Sequence, residues 1–398
     1  MTTSQRWCCA AHSRAVIAFL LAACLLAAPA RAEDGVSQNR ILFGQSAALS
    51  GPAAALGLGM RRGLRAAFDE QNAKGGVHGR KLELVTLDDR YEPEAAVENT
   101  QRLLFERRVF ALIGAVGTPT SKAVIPLADQ ADAPYVGAFT GAELLRDPYR
   151  PEIVNIRASY FQETEALTEY LMKGLDKKRI AIFYQNDSFG RAGRAGVVRA
   201  LERRGETLAS EGRYVRNSDA VKLGVLDVMK GRPDAVIMVG AYDPLAKFVQ
   251  WSAKMGFKPT FASISFIGSA AFASALAARP LADRGEGVIV SQVVPFPEDM
   301  RLPVARDYRN AIAGQGLKPD FVSFEGYIVG RFAIEMLEQL GENVTREAFL
   351  AAVQASTEVD VGGLVLGFGK DDSQGSDAVF LTELDGAGGL RPLGGGAP

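Results

Sequence analysis

The sequence predicts an α/β fold of two doubly wound lobes, each a parallel sheet covered by helices on both faces. Short β-rich runs alternate with helical stretches of about 10–18 residues from Arg40 onward, the pattern of repeated βαβ units. This alternation occurs in two successive series, each long enough for one lobe. The chain has 398 residues, of which 47% are hydrophobic and 23% charged. These values are ordinary for a globular protein with room for two or three domains.

The first series begins after residue 39. Met60, Leu64, Ala67 and Phe68 fall at i, i+4, i+7 and i+8, so they share one helical face. In order, the predicted elements are a strand at 41–44, a helix around 60–68, a strand at 81–87, a helix at 93–107, a strand at 110–114, a helix at 118–131 and a strand at 135–138.

The second series repeats the same alternation and ends in a helical segment. It consists of strand and helix pairs at 179–184 and 188–204, 207–214 and 219–230, and 235–239 and 243–255, then a strand at 287–294. Helices at 299–314, 321–340 and 345–355 follow, with strands at 364–368 and 379–384. The Gly- and Pro-rich tail, 388–398, is predicted to be disordered.

The N-terminus has the features of an export signal. Arg6 and Arg14 form a positive n-region, residues 15–30 form an apolar run, and Ala30-Arg31-Ala32 is a small-x-small cleavage site. We therefore predict a signal peptide over 1–32, cleavage after Ala32 and a periplasmic mature protein. The alternative is a lipoprotein attached at Cys24, because Leu21-Ala22-Ala23-Cys24 resembles a lipoprotein box.

Cysteine placement and charge exclude several classes of protein. Cys8, Cys9 and Cys24 all precede the predicted cleavage site, so the mature chain is expected to hold no disulfide, thiolate metal site or cysteine nucleophile. The net charge of the chain is −1, which offers no basic surface for nucleic acid.

Sequence signatures of enzymes are missing. The only histidine after residue 32 is His78, in a turn-like Gly75-Gly76-Val77-His78-Gly79 segment. Neither G-x-S-x-G nor H-E-x-x-H occurs, and the Gly57–Gly63 segment is one residue off the dinucleotide fingerprint. We therefore expect no catalytic residues, no cofactor and no metal.

Four strand-to-helix turns carry residues suited to ligand contact, because ligands of open α/β sheets bind outside the carboxyl ends of the strands. They contain Thr118, Thr140, Phe189 and Tyr242. Each has a purely structural alternative. Thr118 is placed to be a helix N-cap, Thr140 and Glu143 match a capping box, and an aromatic just inside a helix often only packs.

The chain between about Arg40 and Leu384 resembles the leucine/isoleucine/valine-binding protein family, the type I periplasmic solute-binding proteins of ABC transporters. The matching stretches are Leu49-Ser50-Gly51-Pro52, residues 75–84, Leu112-Ile113-Gly114 and residues 184–190. The resemblance implies a solute-binding protein, not an enzyme, that is monomeric and works with a membrane permease.

The resemblance also implies two lobes joined by three crossovers, which we place near 156–159, 293–295 and 361–364. Lobe 1 would then comprise 33–157 plus 294–362, and lobe 2 would comprise 158–293 plus 363–387. A solute would be held between the lobes.

For the binding site, the resemblance implies that Thr118 and Thr140 hold a carboxylate of the solute. The full expected set of ligand-binding residues is Ser50, Thr118, Phe139, Thr140, Phe189, Tyr242 and Ser265. An acidic residue that pairs the ammonium of amino acids in the family falls at Ser265 here, so that charge is missing unless Asp243 or Glu325 replaces it. The solute is therefore predicted to be an amino acid or an aromatic or aliphatic organic acid.

Two other functions are compatible with the same residues. One is a periplasmic ligand-sensing receptor component, which predicts a second membrane segment or a receiver partner. The other is a secreted hydrolase that uses only carboxylates, since 46 Asp and Glu residues are present.

Overall fold

A computed structural model describes residues 33–280, 285–314 and 318–393 of the chain. The predicted signal peptide, its cleavage site and the alternative lipid attachment at Cys24 lie outside the described residues, as do the last residues of the tail, 394–398.

The strands and helices alternate through most of the described chain. The strands are β1 (Arg40–Ala47), β2 (Lys81–Asp88), β3 (Ala111–Ile113), β4 (Tyr135–Val136), β5 (Ile153–Val154), β6 (Ile180–Gln185), β7 (Glu211–Tyr214), β8 (Ala235–Val239), β9 (Thr260–Ser263), β10 (Ile289–Gln292), β11 (Val359–Asp360), β12 (Val365–Leu366), β13 (Phe380–Leu384) and β14 (Leu390–Leu393). The α-helices are α1 (Ala54–Ala73), α2 (Pro93–Gln101), α3 (Thr118–Gln130), α4 (Tyr160–Glu169), α5 (Ser188–Glu202), α6 (Lys222–Lys230), α7 (Tyr242–Lys254), α8 (Ser269–Ala277), α9 (Pro303–Ala313), α10 (Phe321–Leu340) and α11 (Arg346–Ala355).

Two large sheets define two lobes, and the predicted doubly wound α/β fold is confirmed. Lobe 1 is built on a five-stranded, fully parallel sheet in the order β2-β1-β3-β4-β5. Lobe 2 is built on a seven-stranded sheet in the order β14-β13-β10-β9-β8-β6-β7, parallel from β10 to β7. Strands β13 and β14 are antiparallel and extend its edge.

The central strands are buried along their whole length. Every residue of β6 and of β8 is buried, and both strands read as continuous apolar runs apart from Gln185. This is the pattern of parallel strands covered by helices on both faces, where neither face meets water.

Helices α1 and α10 pack closely in lobe 1 because glycines line their interface. A Cβ atom on Gly63 would lie 1.9 Å from the Ser323 carbonyl oxygen, and one on Gly326 would lie 2.4 Å from the Met60 carbonyl oxygen. Any larger residue at these positions would force the two helix backbones apart.

The final crossover from lobe 1 to lobe 2 lies further along the chain than predicted. Phe368 packs on Phe332 of α10 with ring centroids 5.2 Å apart, and the backbone of Asn155, just after β5, bonds with Ser373 and Gly375. These contacts keep the chain against lobe 1 beyond the predicted crossover at 361–364. The chain joins the sheet of lobe 2 only at Phe380.

The tail is ordered for part of the length over which disorder was predicted. Leu390–Leu393 forms β14, which pairs antiparallel with β13. The Asp385 carboxylate accepts hydrogen bonds from the amides of Ala387 and Gly389, at 2.9 and 2.8 Å. The turn therefore brings the chain back along the sheet edge, and the pairing outweighs the low-complexity composition.

Candidate functional site

The turn from β3 to α3 presents Thr118 to the space between the lobes. Gly117 precedes the helix with φ 103°, a conformation that favours glycine, and a Cβ atom there would lie 2.1 Å from the Tyr91 ring. No side chain of the described residues caps this helix. The predicted capping role of Thr118 is therefore wrong, because Gly117 is the N-cap residue and Thr118 is already helical.

The Thr118 hydroxyl instead meets the hydroxyl of Thr140, with the two Oγ1 atoms 2.7 Å apart. Both threonines are fully buried. The capping box predicted for Thr140 and Glu143 is absent from the described structure, because Ala142 precedes the short 3₁₀ helix at Glu143–Leu145. Thr140 Oγ1 accepts a 3.3 Å bond from the Ala142 amide, and either hydroxyl can be the donor in its contact with Thr118.

A cluster of aromatic rings from both lobes adjoins these threonines. We call Phe139, Tyr160, Phe189 and Phe266 the aromatic cluster. The ring of Phe266, in lobe 2, lies 5.4 Å from that of Phe139, in lobe 1, and 4.3 Å from that of Phe189. The Tyr160 ring lies 5.5 Å from Phe189. These buried rings contact one another across the lobes and form one apolar cluster beside the threonines.

Phe189 is held in place by the start of α5. The Asp187 carboxylate caps this helix by accepting hydrogen bonds from the amides of Phe189 and Gly190, at 3.0 and 3.3 Å. The cap fixes the direction in which Phe189 enters the aromatic cluster.

Buried charges lie against the same rings. We call Arg157, Glu163 and Glu325 the charge cluster, and each is at most 3% exposed. Arg157 Nη2 lies 3.4 Å from Glu163 Oε1, and Arg157 Nη1 lies 3.5 Å from Glu325 Oε1. The guanidinium carbon of Arg157 lies 4.7 Å from the centre of the Phe139 ring, a cation–π contact.

Ser265 connects the aromatic and charge clusters. Its hydroxyl oxygen lies within hydrogen-bond distance of Arg157 Nη2, its hydroxyl lies 3.0 Å from Glu163 Oε1, and its amide donates to Glu163 Oε2 at 2.7 Å. Ser291 donates a further 2.6 Å bond to Glu163. A positively charged group thus lies beside Ser265, where the sequence resemblance led us to expect an ammonium of the ligand.

Burial shifts the pKa values of the charge cluster. Desolvation raises the pKa of Glu325 to about 7, with Arg157 opposing the shift and Glu163 adding to it. Desolvation also raises the pKa of Glu163 against the influence of Arg157 and the serine hydrogen bonds. Burial opposes the charge of Arg157, but Glu325 and Glu163 outweigh it and raise the Arg157 pKa. We conclude that Arg157 is charged and that its ion pairs with Glu163 and Glu325 offset its charge.

Polar donors in the site lack protein acceptors. Among the described residues, neither Nε nor Nη1 of Arg157 has a hydrogen-bond partner, and neither does the Tyr160 hydroxyl. The Tyr160 hydroxyl lies near those of Thr118 and Thr140, although none of these contacts has the geometry of a hydrogen bond. Unpaired buried donors are costly, so they indicate a place where a ligand supplies acceptors.

The structure brings together most of the predicted site residues. Thr118, Thr140, Phe139, Phe189 and Ser265 form one continuous set with the charge cluster. Ser50 does not join it: this residue is exposed and its hydroxyl donates to Asp88 at 2.6 Å.

Tyr242 lies elsewhere between the lobes. It is half-buried, and its hydroxyl accepts a 3.4 Å bond from the Ala55 amide at the start of α1. Of the two acidic replacements considered for Ser265, Glu325 lies in the site. Asp243 is instead paired with Arg279 at 2.7 Å.

Further polar contacts join the lobes at the rim. Arg216, after β7 in lobe 2, bonds to Glu92, before α2 in lobe 1, at 2.7 Å. Asn217 donates to the second oxygen of Glu92 at 2.7 Å and to the carbonyl of Arg90 at 3.2 Å. These contacts hold the two lobes in the arrangement that buries the aromatic cluster.

The described part of the chain contains no group of three or more His, Cys, Asp or Glu side chains placed to hold a metal ion. None of its helices has the length and apolar character needed to span a bilayer.

Comparisons with known proteins agree on one family. The family model described as periplasmic binding protein matches residues 41–389. A solved structure from Rhodopirellula baltica, described as a possible leucine/isoleucine/valine-binding protein, is 38% identical, covers 92% of this chain and 98% of its own, and superposes with a TM-score of 0.84. A substrate-binding periplasmic protein from Ralstonia solanacearum is 26% identical, with coverages of 89% and 100% and a TM-score of 0.82.

A curated relative gives the same family over a shorter stretch. Leu/Ile/Val-binding protein homolog 7 of Brucella suis is 28% identical over 254 residues, which is 62% of this chain and 62% of the relative. The chain therefore matches under two thirds of that relative's length.

Proposed function

We propose that this chain, which belongs to the leucine/isoleucine/valine-binding family of type I periplasmic binding proteins, captures a small carboxylate-bearing solute between its lobes and delivers it to an ABC permease. The solute's carboxylate would accept hydrogen bonds from Thr118 and Thr140. The rings of Phe139 and Phe189 would enclose its apolar body.

The observation that carries this proposal is the pairing of two buried threonine hydroxyls at the N-terminus of α3, beneath aromatic rings from both lobes. In this contact one hydroxyl donates to the other, and a carboxylate that displaces it would accept from both hydroxyls at one point. The N-terminal end of a helix also carries partial positive charge, which favours an anion. The adjacent rings exclude water, so these contacts are stronger than they would be at a surface.

We propose that the protein works in the periplasm after cleavage at Ala32, that it acts as a monomer without enzymatic activity, and that Ser265 contributes to the site through Arg157. Ser50 and Tyr242 are proposed to contact the solute only if the lobes rearrange, because neither lies with the other site residues. A fatty acid ABC transporter substrate-binding protein from Thermomonospora curvata shares the fold, which is compatible with delivery to a permease.

A thermal-shift screen tests the proposal. The protein would be purified, stripped of solute by unfolding and refolding, and screened against amino acids and against aliphatic and aromatic monocarboxylic acids. We expect at least one acid to raise the melting temperature in a concentration-dependent way, because a ligand that binds only the folded state stabilises it. Stabilisation only by uncharged solutes such as sugars would refute the proposal.

A further inference from the structure

Arg157 has an unusual set of unpaired hydrogen-bond donors. In the described part of the chain, Arg150, Arg204 and Arg216 each leave one buried nitrogen without a hydrogen-bond partner, whereas Arg157 leaves two, Nε and Nη1. Nη1 lies 3.5 Å from Glu325 Oε1, an ion pair without the geometry of a hydrogen bond. The Arg157 side chain is 1% exposed, so water does not pair these donors from a surface. A buried donor is seldom left unpaired in a folded protein.

The donors belong to the binding site already described. The Arg157 guanidinium lies over the ring of Phe139, and its Nη2 contacts the hydroxyl of Ser265. Phe139 is followed in the chain by Thr140, whose hydroxyl bonds that of Thr118. A solute held at the two threonines and enclosed by the aromatic cluster is therefore next to Arg157.

The charges around Arg157 determine which kind of solute group can accept hydrogen bonds from its free N–H groups. Glu163 and Glu325 already balance the positive charge of Arg157, so a second carboxylate on the solute would leave uncompensated negative charge in a buried space. An ammonium has no acceptor capacity and would leave both N–H groups unpaired. A neutral keto or hydroxyl oxygen accepts from an arginine N–H and brings no net charge.

We propose that the solute is a monocarboxylic acid with an apolar body and a neutral oxygen acceptor, either a keto or a hydroxyl group, that binds Arg157. This inference rests on the proposed function and specifies its substrate class. Arg157 then selects such acids over the corresponding amino acids, which carry an ammonium in place of the oxygen.

Two matched series of probes test the inference by calorimetry. The aliphatic series is 4-methyl-2-oxopentanoate, 4-methylpentanoate and leucine. The aromatic series is 4-(hydroxymethyl)benzoate, 4-methylbenzoate and 4-(aminomethyl)benzoate. Each series keeps the carboxylate and apolar body while the second group changes from acceptor to none to ammonium. In at least one series we expect the acceptor-bearing acid to bind about tenfold or more tightly than the plain acid, and the ammonium-bearing acid to bind most weakly.

Variants assign this preference to Arg157. Arg157→Met removes the donors but leaves the carboxylates of Glu163 and Glu325 without their cation, which destabilises the fold. The double variant Arg157→Met/Glu325→Gln also removes one of the carboxylates and so perturbs the fold less. In the double variant, Glu163 keeps hydrogen bonds from the Ser265 amide and the Ser265 and Ser291 hydroxyls. In the double variant, the affinity ratio of the acceptor-bearing acid to the plain acid should fall to less than twofold, whatever the absolute affinity of either acid.

The matched control is Arg150→Lys. Arg150 is also paired to a carboxylate, Asp129 in the last turn of α3, and also leaves one nitrogen unpaired. It should keep the wild-type preference.

If the preference for the acceptor-bearing acid persists in the double variant, or if leucine binds wild type more tightly than its oxo acid, the inference is wrong while the proposed function stands. If no acid of either series binds, or if Thr118→Val leaves the plain acid's affinity unchanged, the proposed function fails and the inference with it.

Discussion

The Oγ1 atoms of Thr118 and Thr140 lie 2.7 Å apart, although the two residues are separated by 22 positions in the chain. The contact exists because β3 and β4 are neighbours in a parallel sheet, so the turns at their carboxyl ends meet at the same edge. Thr118 does not cap its helix, Thr140 accepts one 3.3 Å bond within its own turn, and both residues are buried. Their mutual contact uses one hydroxyl hydrogen and leaves the other for a ligand.

Replacing either threonine should weaken binding of a carboxylate. Thr118→Val and Thr140→Val remove one donor each while keeping a branched side chain of similar size. Loss of a hydrogen bond to a charged group costs about 1.5–3 kcal/mol, roughly ten- to a hundredfold in affinity. Calorimetry with the best acid from the screen measures the change.

The control for these variants is Thr168→Val. Thr168 is also fully buried and its hydroxyl has no hydrogen-bond partner among the described residues, so its loss should leave the affinity unchanged. Unchanged affinity in both Thr118→Val and Thr140→Val, with a lower melting temperature, would mean that the pair only supports the fold.

Breaking the contact between Glu92 and Arg216 should favour an open arrangement of the lobes. Because this ion pair is partly exposed, its loss costs about 0.2–1 kcal/mol, up to roughly fivefold in solute affinity. Small-angle scattering of Glu92→Gln without solute should give a larger radius of gyration than wild type, and bound solute should reduce it. Arg194→Gln, which breaks a pair with Glu211 inside lobe 2, is the control. Equal radii for Glu92→Gln, its control and wild type, with and without solute, would indicate a rigid site.

Glu325 should make the stability of the protein depend on pH. Its pKa is raised from 4.5 to about 7 in the folded state, so folding favours the protonated form. This stabilising contribution is complete below about pH 4.5 and is lost as the pH rises through 7. The melting temperature of Glu325→Gln should therefore fall less than that of wild type between pH 5 and 8.5.

Glu335→Gln on the same helix controls for the loss of one negative charge. It should show the wild-type dependence on pH. If Glu325→Gln and wild type lose stability in parallel across this range, Glu325 is not the group that titrates.

Cleavage of the predicted signal peptide fixes the mass of the mature protein, which can be measured directly. Protein recovered from the periplasm of an expressing bacterium should begin at Glu33, since Ala30-Arg31-Ala32 is the cleavage site. Intact-mass spectrometry checks this. A lipid-modified species that begins at Cys24 would support the lipoprotein alternative.

Much of the fold could be predicted from the sequence because its signals are local. The helices near 321–340 and 345–355 were predicted within a residue of their observed bounds, since apolar periodicity and flanking Asp320 and Thr345 caps mark them. Strands β5, β9 and β11 and helices α4 and α8 were missed. The Ala-rich α8 segment has little amphipathic periodicity, and β9 is only 4 residues long, so neither gives a strong pattern.

The charge cluster could not be predicted from the sequence in the same way. Arg157 lies within the predicted crossover at 156–159, but nothing in a single sequence indicates that its charge is buried. Its partners Glu163 and Glu325 come from helices α4 and α10, which are distant in sequence and meet only in the folded chain. Phe266 was not among the predicted site residues.

The most direct test of the account compares an acid with its own amide. The best-binding acid and its primary amide have nearly the same shape, but only the acid offers a charged group to Thr118 and Thr140. Calorimetry should show the acid binding wild type at least tenfold more tightly than the amide, and the Thr118→Val/Thr140→Val double variant should lose most of that difference. An amide that binds wild type as tightly as the acid would contradict the claim that the threonine pair holds a carboxylate.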